Sequence, residues 1–220
     1  VVIKNLRAIR ALDVPISEPT TLIIGENNAG KSAFLHGLRL CLDNTLSSAY
    51  RSLSKEEIYC AVDQAAPFQV MVGVEFPGCE GHEQEEALLY GTMIDDDRAR
   101  LFYRFRPKRA VRELIATGEL DRLLTLDDFS WELFGGGNPL IDLASIEWNQ
   151  ENSEIGATSV ALQNLQSYLV VFLPALRDVE TDLQQSRRSP LLRLIEASNI
   201  DPAEQQTIVD AVKTANAQVE

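Results

Sequence analysis

The stretch Gly25-Glu26-Asn27-Asn28-Ala29-Gly30-Lys31-Ser32 has the spacing of a phosphate-binding loop: Gly, four residues, Gly-Lys, then Ser or Thr. Each residue type suits that task. Gly25 and Gly30 permit backbone angles and close approach that a Cβ would block. Successive amides from Gly25 through Glu26, Asn27, Asn28, Ala29 and Gly30 to Ala33 can then form a concave nest for phosphate oxygens. A helix starting at that point favours negative charge there. Lys31 supplies a point charge toward the outer phosphates, and the Ser32 hydroxyl is placed to ligate Mg²⁺. The expected cofactors are therefore ATP and Mg²⁺. Gly25 to Ala33 forms the binding set, Lys31 is the candidate catalytic residue, and Ser32 is the candidate metal ligand.

Such a loop must sit between a strand and a helix. Thr20-Thr21-Leu22-Ile23-Ile24 is a short β-branched apolar run that predicts a buried parallel strand. Ser32 to Leu42 places Phe34, Leu38 and Cys41 or Leu42 at helical spacing. Upstream, Val1 to Ala8 predicts a strand, and Ile9 to Pro19 a turn with a second short strand. Asp43 to Asp63 is polar, with a short helix expected in Leu53 to Cys60. Phe68 to Phe76 alternates with period two and predicts a half-buried antiparallel strand, with Phe68, Val70, Val72, Val74 and Phe76 on its inner face. Leu88 to Ile94 and Arg100 to Arg106 flank Asp95-Asp96-Asp97 as a hairpin with an acidic tip. Val111 to Leu124 reads as a helix, and Gly135-Gly136-Gly137-Asn138-Pro139 as a mobile loop. Tyr168 to Leu173 predicts a second buried strand. Ser189-Pro190 and Asp201-Pro202-Ala203-Glu204 mark two helix starts, the last helix running toward Val219.

The chain has 220 residues, 45% of them apolar, and a net charge of −13. That length allows an ample core, and that charge argues against a general nucleic-acid coat without excluding a local basic groove. No apolar run approaches the roughly 20 residues that span a bilayer, so no membrane partner is expected. Cys41, Cys60 and Cys79 lack a CxxC pair and are read as reduced, mostly buried thiols of a cytoplasmic protein. The chain opens on Val1 in strand-like sequence, which suggests a trimmed boundary.

Arg98, Arg100, Arg104, Arg106, Lys108, Arg109 and Arg112 alternate with Phe102, Tyr103 and Phe105. They could contact a phosphate backbone or form a solvated strand face that balances nearby acids, and overall acidity favours the second. Arg187 and Arg188 could touch DNA or a partner, or form a surface turn. His36 and His82 are expected to be exposed.

The opening "IKNLRAIRALDVPISEPTTLIIGENNAGKSAFLHGLRLCLD" resembles the start of RecF/SMC-type ABC ATPases. "VVFLPALRDVETDLQQSRRSPLLRLIE", Val170 to Glu196, is similar to the corresponding strand and helix of the OLD family of ATP-dependent endonucleases. The resemblance implies an α/β P-loop NTPase, an ABC-type (RecF/SMC-like) ATPase lobe with an antiparallel β subdomain beside a parallel core sheet. Residues 1–220 would be the N-terminal portion of that domain, with the signature, the Walker B motif and any Toprim nuclease lying beyond. It also implies DNA as a partner and a homo-oligomer of the full-length protein. The family's γ-phosphate-sensing Gln is replaced here by Pro174-Ala175-Leu176-Arg177-Asp178. Hydrolysis of this type needs an apolar run ending in Asp-Glu; Thr92-Met93-Ile94-Asp95-Asp96-Asp97 has too short an apolar run and reads as a hairpin turn, and no second carboxylate follows Asp142. A RecF/SMC-like repair ATPase without nuclease, and a nucleotide-gated interaction module, stay open beside the OLD reading.

Overall fold

The computed structural model describes residues 1–16, 20–79, 91–167 and 170–172. The chain divides into two compact units, Val1–Tyr168 and Leu169–Glu220, and the elements below belong to the first. The helix starts at Ser189 and Asp201, the Pro174 to Asp178 segment, Arg187, Arg188 and His82 lie outside the described residues, as do Tyr168, Leu169 and Leu173 of the expected Tyr168 to Leu173 strand.

Six strands form an antiparallel sheet: β1 Val2–Leu6, β2 Ile9–Asp13, β3 Val70–Phe76, β4 Ala99–Pro107, β5 Phe129–Gly136 and β6 Ala157–Ser159, in the order β2-β1-β3-β4-β5-β6. β1 turns into β2 through Arg7 and Ala8, with Leu6 opposite Ile9 and Arg7 at φ 49°. The register across the centre sets Ile3 against Val72, Val72 against Tyr103 and Tyr103 against Leu133. The expected parallel core sheet is not seen among the described residues.

Helix α1, Lys31–Leu42, lies across one face of this sheet. A Cβ on its Gly37 would stand 3.0 Å from Ile3, 3.2 Å from Leu6 and 3.4 Å from Val72, so the missing side chain lets the helix settle closely. The other face is covered by the 138–156 segment, whose Leu143, Ile146 and Ile155 pack on Val2, Met71, Phe102 and Phe134. Between these two covers β3 is buried on both faces, not half-buried: Met71 is as inaccessible as Val70 and Val72. The alternation of Val and Met/Gly in β3 had suggested one wet face. Gly73 instead leaves room for Leu143.

Other local expectations change for identifiable reasons. After the one-turn α2, Ser48–Arg51, the helix expected over Val111 to Leu124 is α3, Arg109–Thr117, and it ends where Gly118 adopts φ 73°, its amide bonding back to Leu114 and Ile115. Gly135 and Gly136 are not a mobile loop; they complete β5 and are buried, because a side chain at Gly135 would collide with Thr92 and Val160. The acidic tip is as expected. Asp95 accepts from the Arg98 amide at 2.8 Å, and Met93 pairs with Ala99 across it.

Thr20 to Ile24 carries no ladder among the described residues, and Leu22 and Ile24 are each 81% exposed. A parallel strand needs neighbours supplied through long crossovers, and the antiparallel sheet offers none.

Candidate nucleotide site

The loop Gly25 to Gly30 stands at the start of α1, and two left-handed residues shape it: Asn28 at φ 65° and Gly30 at φ 99°, ψ 4°. Asn tolerates this region better than most side chains, and Gly occupies it without strain. Ala29 closes a turn by donating its amide to Glu26 O at 3.3 Å, and Phe34 begins the helical ladder by donating to Gly30 O at 2.8 Å. Lys31 folds back over the loop, its ammonium donating to Gly25 O at 2.7 Å and Glu26 O at 2.6 Å.

No side chain caps α1, and its first turn holds no acidic residue. The amides of Lys31, Ser32 and Ala33 therefore have no acceptor within the helix. Gly25, Glu26, Asn27, Asn28, Ala29 and Ser32 are exposed, and Ala33 is buried. The geometry is thus an uncapped helix start, with one ammonium and one hydroxyl beside it, at the positive end of a helix dipole. Such a set can cradle a polyphosphate and hold a divalent cation beside it. Among the described residues no group of three or more His, Cys, Asp or Glu could hold a metal. Asp95 is spent on its own turn and on Arg98, and Asp142 caps the short turn Leu143–Ser145 through the Ala144 amide.

The floor of the loop comes from the β1–β2 turn. A Cβ on Gly30 would meet Ile9 Cγ1 at 3.3 Å and Ala8 Cβ at 3.9 Å. That turn is itself fixed by Glu57. The Arg7 amide donates to Glu57 O, and Arg7 Nη2 donates to Glu57 Oε1, both at 2.8 Å. His36, from the second turn of α1, places Nε2 3.0 Å from the same oxygen, a close approach without aligned hydrogen-bond geometry. His36 is thus not the exposed residue expected: its side chain is 17% accessible. Burial, then the Arg7 charge, lower its pKa against the opposing pull of Glu57. Burial raises the Glu57 pKa, but hydrogen bonds from Arg7 and the Ser54 amide, with the His36 charge, outweigh it and leave the carboxyl below its ordinary range. The Ser54-x-x-Glu57 capping box that orients Glu57 is visible in the sequence; its link to Arg7 and His36 is not.

The arginine run contradicts the expected solvated face. Arg100, Arg104 and Arg106 are buried on the side of β4 that faces the 138–156 segment. Arg100 pairs with Glu75 and Arg106 with Glu132, while Arg104 bonds Gln69, Asn152 and the carbonyls of Glu147 and Gln150. Arg112, from α3, grips Glu151 and Pro107 O. Alternation placed these arginines on one face correctly. What covers that face comes from about forty residues downstream, and no local pattern announces it. Arg98, Lys108 and Arg109 are less buried, pairing with Asp95, the Asp127 carbonyl and Glu113. Arg51 was likewise not singled out by sequence; fully buried, it caps the C-terminus of α1 by donating to the carbonyls of Leu40 and Asp43.

Cys41 and Cys79 are buried and Cys60 is exposed, all as free thiols; burial pushes the Cys41 thiol up to about 12. Among the described residues no helix is long and apolar enough to cross a membrane.

Comparison with known proteins adds one match. The family model described as AAA ATPase domain (AAA_15) matches residues 1–209. No curated protein matches the chain. A phosphate-type loop at an uncapped helix start and a family match over nearly the whole length agree, and the chain belongs to the AAA ATPase domain family.

Proposed function

We propose that the loop Gly25 to Ser32 holds the triphosphate of ATP, with Lys31 drawn off the Gly25 and Glu26 carbonyls onto the outer phosphates. Ser32 would ligate Mg²⁺, and the amides of Gly30 to Ala33 would receive phosphate oxygens. The observation that carries this reading is the uncapped start of α1, unopposed by any acid, with Lys31 folded across it. Bound Mg²⁺ would neutralise charge on the phosphates, and the chain's own residues bind and orient.

The OLD-type reading goes further: nucleotide binding controls dimerisation and DNA engagement in an ATP-dependent endonuclease, with roles in phage defence or DNA repair. It rests on the similarity of Ile3 to Asp43 to RecF/SMC-type ATPases and of Val170 to Glu196 to the OLD family. The buried state of Arg100, Arg104 and Arg106 removes them as a DNA-contacting face, so DNA contact would have to come from other residues.

Sedimentation velocity with and without Mg·ATP tests the coupling. An ATP-dependent shift to dimer that Lys31→Ala abolishes is the expected result. Unchanged monomer in saturating ATP, with binding verified, would leave a nucleotide-binding module that is not an association switch.

A further inference from the structure

Glu57 lies outside the phosphate loop, yet it joins two elements that meet there. On one side stands the β1–β2 turn, which it grips twice through Arg7, from its backbone carbonyl and from its carboxylate. The residues after Arg7 in that turn, Ala8 and Ile9, form the floor under Gly30. On the other side is α1, whose His36 meets the same carboxylate oxygen five residues beyond Lys31. The carboxylate is itself fixed: its second oxygen accepts the Ser54 amide at 3.1 Å, and Ile58 and Tyr59 pair with Leu6 and Asn5 at the end of β1. A carboxylate held at both oxygens, one-fifth exposed, in contact with a guanidinium and an imidazole, fixes geometry more than an isolated surface pair does.

We infer that Glu57 is a positioning residue for nucleotide binding, acting through Arg7 and His36 to hold the β1–β2 turn and α1 in the relation that keeps the amide nest open. This rests on the nucleotide-binding reading above. Preorganised donors bind tightly because they need no reordering when the ligand arrives. Releasing the clamp lets the floor drop from Gly30 and returns that ordering cost to the binding step. The residues in the clamp are separate from those that would contact phosphate, so the effect should reach affinity without touching the ligand.

The test is a double-mutant cycle in ATP affinity by calorimetry, using Glu57→Gln, Arg7→Ala and the double variant, with the melting temperature of each recorded. Expected is an affinity loss of about tenfold for each single variant and nearly the same loss for the double. Arg7→Lys, which keeps a cation for Glu57, should recover part of the loss. Gly73→Ala, which strains the sheet far from the loop, serves as the control: it should lower the melting temperature and leave affinity unchanged. Full additivity of the two singles, unchanged affinity in Glu57→Gln, or tighter binding in that variant through release of Arg7 toward the ligand would each overturn the inference while leaving ATP binding by the parent chain intact. Absence of ATP binding in the parent chain would overturn both.

Discussion

Gly30 carries more constraint than any other residue of the loop. Its φ of 99° is left-handed, and a Cβ would also press on Ile9 at 3.3 Å. Gly30→Ala should cost about 1–2 kcal/mol of backbone strain and weaken ATP binding at least as much as it lowers stability. Melting and calorimetry of the one variant give both numbers. Ser32, exposed and without a role in packing, makes the opposite case: Ser32→Ala should leave the melting temperature unchanged and reduce the gain in ATP affinity conferred by Mg²⁺ by about tenfold, ~1.4 kcal/mol. Titrations with Mg²⁺ and with EDTA read that gain directly; an undiminished gain would remove Ser32 as a ligand. These residues were legible in the sequence because a phosphate loop is a local device, its glycines, lysine and serine all within eight positions. Glu57, His36 and Arg7 were not, because they meet through tertiary contact.

Among the elements, the central strand pair shows where periodicity stops informing. The hairpin β1–β2, helix α1 and the strands β3 and β4 were all anticipated, since each is set by neighbours within a few residues. The burial of both faces of β3 was not. It depends on the 138–156 segment, which reads as loop because its turns carry no period, yet supplies Leu143, Ile146 and Ile155 to the core. Gly73→Ala tests that cover: the added methyl would lie 2.4 Å from Leu143 Cδ1, and a loss of about 1–3 kcal/mol in unfolding free energy is expected. The same cover explains the arginines. Desolvation, with the charge of Arg106, pulls the Arg104 pKa down to about 9, still high enough for the guanidinium to be charged at neutral pH. Arg104→Ala would leave Gln69 Oε1 and Asn152 Oδ1 without their donor. We expect it to cost about 1–3 kcal/mol, measured by denaturant unfolding. A near-neutral result would mean that the segment does not depend on the guanidinium.

For the whole molecule, several paired carboxylates give stability a defined pH dependence. The Arg122 guanidinium, with the Thr125 amide, holds the Asp128 carboxyl far below its ordinary 3.8. Burial opposes the charged form of Asp43, but hydrogen bonds from Thr45 and Arg39 keep its carboxyl low as well, and Glu57 lies below its ordinary 4.5. A carboxyl whose pKa is lower folded than unfolded contributes stability that is complete above the unfolded value and lost as pH falls through the folded one. The melting temperature should therefore be insensitive to these groups above about pH 5 and fall steeply below about pH 4; Asp128→Asn should flatten that acid limb.

The account stands or falls on whether the loop at the start of α1 receives a triphosphate. Calorimetric titration of the chain with Mg·ATP, beside its Lys31→Ala variant, measures this directly. Saturable binding in the parent chain and a loss of at least about a hundredfold in the variant, ~2.7 kcal/mol, are predicted. Equal affinity in the two proteins would contradict the account.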